Sequence, residues 1–200
     1  MNEFYLWFTT GITHICDFRA YDHILFLMAI CAVYHFAEWK EILIALSAFT
    51  IGHSITLAAS TFQWISIPSA LIEFLIPCTI VFTCIRNIYT LKSDKSKHST
   101  ITYVSILLFG CIHGLGFSSL LRSMLGKEES VIGPLFSFNI GLEIGQFVLV
   151  LVLFLLTYIV QKIIRQTKYE EQFFISSAVF GISFIMLIER FTNYLHTLYI

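Results

Sequence analysis

Residues 49–58 read FTIGHSITLA, which places His53, a serine and two threonines inside a long apolar run. The rest of the chain has the same character. Of its 200 residues 57% are hydrophobic, 12% are charged and 20 are phenylalanine. A soluble domain carries about twice that charged fraction. Apolar stretches of about 20 residues with few charges read as membrane helices. The predicted fold class is therefore all-α, a polytopic bundle of about six transmembrane helices in an integral cell membrane, with the lipid bilayer as its surroundings. A net charge of −1 offers no basic surface, so no nucleic-acid partner is expected.

The predicted spans are 21–36, 39–60, 66–91, 100–121, 132–160 and 172–195, all within a single domain, 1–200. The first is short, so segment 3–18 is expected to pack as an interfacial or re-entrant helix. The fifth is long and is expected to run on into VQKIIRQTKYEE. Glu3 stands where a signal peptide would be basic, and no small-residue cleavage site follows, so the N-terminus is expected in the mature protein. The cysteines at 16, 31, 78, 84 and 111 never form a Cys-x-x-Cys pair. They read as small buried hydrophobes, not as a disulfide framework.

Six spans put both termini on one side. The opposite side carries Lys40, Lys92, Lys95, Lys97, Lys162, Arg165 and Lys168, with Arg86 near it; the terminal side carries Arg19, Arg122, Lys127 and Arg190. The lysine-rich side is predicted to be cytoplasmic and both termini to lie outside.

Ionisable residues inside a membrane are costly, and they usually mark function. Here they are Asp22, His23, His53, Glu73, His113, Glu143 and Glu189, joined by Asn139 and Gln146, with His14 and Asp17 just before the first span. At about 1.5 Å of rise per residue, His53 and His113 lie about 20 Å above the inner ends of their spans. Asp22 and His23 fall at the outer rim, with Glu73, Asn139 and Glu143 about 10–16 Å below it. The polar groups thus gather in the outer half of a core about 30 Å thick, and the inner half reads as poor in them. Asn139, Glu143 and Gln146 share one helical face, as do Thr50, His53 and Ser54, while Gly110 and Gly114 allow a close helix approach beside His113. FTIGHS and FGCIHG each place a phenylalanine four residues before the histidine, a faint internal echo.

Imidazoles and carboxylates at one depth suit a divalent metal such as zinc or nickel. The candidate ligands are His23, His53, His113, Asp22 and Glu143, with His14, Asp17, Ser54, Glu73, Asn139 and Gln146 in support. Bland readings compete: an interhelical hydrogen bond for any one histidine, a helix cap for Asp22, interhelical glue for Asn139 and Glu143, and an interfacial pair for Glu189 and Arg190.

Four stretches, YDHILFLMAI (21–30), FTIGHSITLA (49–58), CIHGLGFSSLL (111–121) and FNIGLEIGQ (138–146), together resemble the HupE/UreJ family of small membrane proteins linked to hydrogenase and urease accessory functions. The resemblance implies a role in uptake of nickel or a related divalent metal. By motif match it points to Asp22, His23, His53, His113, Asn139 and Glu143. Ala20 stands where the family places glycine, and His14 stands nine residues before His23.

The expected function is membrane transport of a divalent metal (nickel, cobalt or zinc) through an outward-facing His/carboxylate site. The alternatives are an intramembrane zinc-dependent hydrolase, with Glu143 or Asp22 as base, and a metal-sensing accessory scaffold. The reading leaves room for a homo-oligomer.

Overall fold

The computed structural model describes residues 2–18, 21–91, 100–125 and 131–199. The chain forms helices α1 (Glu3–Cys16), α2 (Asp22–Cys31), α3 (Trp39–Thr61), α4 (Ser69–Tyr89), α5 (Thr100–Leu125), α6 (Ile132–Ile164) and α7 (Lys168–Tyr199), with a 3-10 turn at Phe36–Glu38 leading into α3. No strand occurs among the described residues. Helices α3 to α7 are each long and apolar enough to cross a membrane, and α2 is a shorter apolar helix. Inside hydrocarbon a helix satisfies its own backbone, and here threonines return their hydroxyls to the same helix, as Thr83 does to the Thr79 carbonyl at 2.8 Å.

Three helix pairs dominate the packing: α3 with α5, α1 with α6, and α4 with α7. The first two pairs are parallel and share one device. A Cβ at Gly52 would strike the carbonyl of Leu107, three residues before Gly110; a Cβ at Gly110 would strike the carbonyl of Phe49, three residues before Gly52. Gly11 and Gly141 repeat this relation against Phe138 and Phe8. Bare backbone on both sides lets each pair close to direct contact, the use of glycine expected where lipid supplies no hydrophobic drive. The α4–α7 pair is antiparallel, tied at one end by Arg190 to Glu73 (2.7 Å) and at the other by Gln172 to the Asn87 carbonyl (3.0 Å).

The N-terminal segment departs from expectation. Helix α1 does not lie across the end of the bundle. It runs alongside α6, with Trp7, Gly11 and Ile15 buried. Trp7 packs with Leu57, Leu121 and Leu135 near one end of the bundle, while Ala29 of α2 meets Asn87 near the other. Helices α1 and α2 therefore follow each other along the bundle as one broken span, about 21 Å and 15 Å long at the standard rise. The expected span 21–36 is only the second half of it. Cys16, the last residue of α1, and Asp22, the first of α2, both lie mid-bundle, where interrupted helices of membrane proteins commonly line a site.

The fifth span extends past 160 through VQKII and then ends. Helix α6 stops at Ile164 because Arg165 takes a left-handed conformation (φ 56°), a common helix terminator. Two residues later Thr167 and Glu170 form a reciprocal capping box: the Glu170 N–H donates to Thr167 Oγ1, and the Thr167 N–H to Glu170 Oε2.

The end of the bundle opposite the termini is not poor in polar groups. Thr79, Thr83, Asn87, Thr102, Glu171, Gln172 and Ser176 are all buried. Asn87 Nδ2 donates to the Ala29 carbonyl at 2.7 Å, Lys168 pairs with Glu171 at 3.1 Å, and Arg86 donates to Thr102. Of the cations used to orient the chain, Arg19, Lys92, Lys95, Lys97 and Lys127 lie outside the described residues.

Candidate metal centre

His14, His23, His53 and His113 come from four different helices, α1, α2, α3 and α5. Ring centroids are 4.7 Å apart for His14 and His23, 5.2 Å for His23 and His113, 6.1 Å for His14 and His53, and 6.4 Å for His23 and His53. The glycine seams bring them together. His53 follows Gly52 directly, His113 lies three residues after Gly110, and His14 lies three residues after Gly11. His23, His53 and His113 are 4%, 0% and 1% exposed, shielded from bulk solvent.

The hydrogen bonds fix two of the tautomers. His113 Nδ1 lies 2.8 Å from the Phe109 carbonyl. A carbonyl only accepts, so Nδ1 carries the proton and Nε2 keeps its lone pair. His23 Nδ1 lies 3.1 Å from Asp22 Oδ1, and the carboxylate has the same effect. The Nε2 atoms of His14, His23 and His113 and both ring nitrogens of His53 are buried with no hydrogen-bond partner. Phenylalanines close the surroundings: Phe26 and Phe49 pack on His113, Phe117 on His14, and Phe138 on both His14 and His53.

Asp22 and His23 were expected at the rim. They lie level with His53 and His113, because α1 occupies the half of the bundle above them. Glu143 is not brought to the histidines. It is exposed, and its Oε1 accepts from Ser47 Oγ at 3.1 Å. The stripe Asn139–Glu143–Gln146 faces α3: Asn139 Oδ1 accepts from Ser54 Oγ at 2.7 Å, and Gln146 Oε1 from Thr50 Oγ1 at 2.8 Å. This is interhelical glue. Glu73 is exposed and paired with Arg190 across α4 and α7, so Arg190's partner is Glu73 and not its neighbour Glu189. Asp17 is exposed, at the break after α1. Among the described residues, no three His, Cys, Asp or Glu side chains are gathered closely enough to hold an ion as they stand.

His14 stood only in support on sequence grounds, yet it is a full member of the cluster. A signal for it was present: Gly11-x-x-His14 repeats the spacing of Gly110-x-x-His113.

The profile of the HupE/UreJ protein family matches residues 1–193. The chain belongs to the HupE/UreJ family. The match takes in α1 to α6, most of α7 and the four clustered histidines. HupE/UreJ proteins are associated with nickel or cobalt transport or with urease and hydrogenase accessory roles. No curated protein and no solved structure matches this HupE/UreJ chain. Family and apolar helices together make it an integral membrane protein.

Proposed function

We propose that this HupE/UreJ protein transports a divalent transition metal, nickel or cobalt before zinc, through a site formed by His14, His23, His53 and His113. The observation that carries this reading is the set of five buried, unpartnered ring nitrogens on those four side chains. An unpaired buried polar atom costs about 1–3 kcal/mol. Five of them would offset much of a typical folding stability of about 5–15 kcal/mol. A metal ion would take up one lone pair from each imidazole, four in all, and would account for their convergence; the fifth nitrogen, the N–H of His53, is a donor.

The ring spacing can be compared with that around a tetrahedral ion such as zinc. With metal–nitrogen bonds of about 2.0–2.1 Å, rings around a common tetrahedral ion have centroids about 5 Å apart. Four of the six ring pairs lie 4.7–6.4 Å apart, so convergence of all four imidazoles on one ion requires movement of the side chains. The Nδ1–H bonds of His23 to Asp22 and of His113 to Phe109 hold those rings with Nε2 pointing inward, the support that metal-binding histidines commonly have. Asp22 thus orients a ligand.

Four imidazoles also bear on the hydrolase alternative. A catalytic zinc site has three protein ligands and a position open to water. Four histidines fill a tetrahedral shell, which favours binding and release of the ion over chemistry on a bound water. The test is uptake of radioactive nickel into vesicles containing the purified protein, beside the metal content of His53→Ala and His113→Ala. Uptake by the parent, and loss of both uptake and bound metal in the variants, is expected. Metal held firmly by a parent that moves none under any ion or pH gradient would replace transport with the enzyme or sensor reading.

A further inference from the structure

A groove of about 400 Å³ runs along the outer face of α6, lined by Phe36, Leu151, Phe154, Leu155 and Tyr158. Phe36 stands in the turn before α3 and is 66% exposed. Its ring meets that of Phe154 edge to face at 5.8 Å and forms one wall. One turn past Tyr158, Lys162 lays its Nζ over the Tyr158 ring, 5.0 Å from the centroid. Lys162 is exposed, and among the described residues it pairs with no carboxylate. We propose that this groove holds one acyl chain of an anionic phospholipid, with the lipid phosphate on Lys162 Nζ.

Length and charge favour this occupant. Leu151 to Lys162 spans about 17 Å at the standard helical rise, and half of a hydrocarbon core is about 15 Å. The groove therefore matches a single leaflet, with the cation at headgroup level and Leu151 near the midplane. Trp39 lies at the same end with Lys40 Nζ 5.7 Å from its ring centroid, and with Tyr158 it gives the aromatic and basic anchors of a membrane interface. Glu38, the carboxylate nearest Phe36 in the chain, accepts from the His35 N–H at 2.6 Å. A lysine at headgroup level attracts a net anionic lipid more than a zwitterionic one, whose own ammonium offsets the phosphate. A second copy of the chain suits this face less well. Close helix contacts in lipid use small residues. Gly141 and Gly145, which make such contacts on α6, already face α1. The exposed positions beyond them are Val148, Leu151, Val152, Leu155, Leu156 and Ile159.

The experiment is native mass spectrometry of the full-length protein in detergent, offered equal amounts of phosphatidylglycerol and phosphatidylcholine with matched chains. The parent should retain one phosphatidylglycerol about fivefold over phosphatidylcholine, the preference expected of a single interfacial lysine. Lys162→Gln should bring the two lipids level, and Lys162→Arg should keep the preference. Leu155→Trp, which fills the groove from an exposed position, should lose retained lipid of both kinds. Ile185→Trp, on an exposed face of α7, should retain lipid as the parent does. Equal retention of both lipids by the parent, or of neither, would mean annular lipid only and would overturn the proposal without any variant. An unchanged preference in Lys162→Gln would overturn the headgroup site. Parent-like retention in Leu155→Trp, or equal loss in Ile185→Trp, would overturn the groove. None of these readouts involves a metal, so the lipid site and the metal reading stand or fall separately.

Discussion

The rings of His14 and His23 meet edge to face with centroids 4.7 Å apart, although a helix break separates them in the chain. The contact joins the end of α1 to the start of α2 at the level of His53 and His113. It makes the broken span part of the site and gives His14 the same standing as the histidines deeper in the sequence.

His14→Ala should therefore remove bound metal as fully as His53→Ala does. The variant deletes one of the converging imidazoles and leaves the α1–α6 glycine seam intact, so helical content and detergent-extracted yield should match the parent. Elemental analysis of the purified variants decides the point. Full metal content in His14→Ala would place the ion among the other three histidines alone.

Asp22→Asn should weaken the site without abolishing it. Asp22 Oδ1 accepts from His23 Nδ1 at 3.1 Å, and loss of such an orienting partner costs about 10–100-fold in metal affinity. Competition with a chelator of known strength measures the change. A complete loss equal to that of His23→Ala would make Asp22 a direct ligand.

Glu143→Gln should keep its metal. The carboxylate bonds Ser47 on the α3–α6 seam, and glutamine can still accept that bond through its amide oxygen. The expected thermal shift is small, in keeping with the ±0.5 kcal/mol of substitutions away from special features. Metal content measured beside His113→Ala provides the comparison, and a comparable loss would return Glu143 to the site.

Glycine substitutions should separate the seams from the rest of the chain. Gly110→Ala puts a methyl group into the backbone of Phe49, and Gly11→Ala does so at Phe138; Gly133 and Gly181 have nothing within 4 Å of an added Cβ. Overpacking of this kind costs about 1–3 kcal/mol or more. Gly110→Ala and Gly11→Ala should lower the melting temperature and the metal content together. Gly133→Ala and Gly181→Ala should do neither. Equal melting temperatures for all four would show that the seams do not bear the packing assigned to them.

Sidedness can be read with impermeant thiol reagents in intact cells. The lysine excess around 92–97 and 162–168 predicts that cysteines placed at Ser96 and Thr167, in a background without native cysteines, stay unlabelled until lysis. Labelling of both before lysis would put the termini in the cytoplasm.

The sequence by itself determined the properties that depend on local composition. Apolar length places α3 to α7 nearly where they are, because a helix in hydrocarbon needs only its own run of residues. Position along such a run sets depth, so the matching heights of His53 and His113 were legible. Which neighbour each face meets was not legible, because that depends on pairing between distant helices. Asn139, Glu143 and Gln146 form a polar stripe in the sequence, but only the α3–α6 contact decides that they bond Ser54, Ser47 and Thr50. The separation of α1 from α2 was the larger omission. A ten-residue helix is too short to cross alone, so α1 completes the span, lowers His23 to the level of the other histidines and delivers His14 to them. The Gly11–Gly141 close approach permits this, and it exists only when the two helices, 130 positions apart in the chain, are packed together.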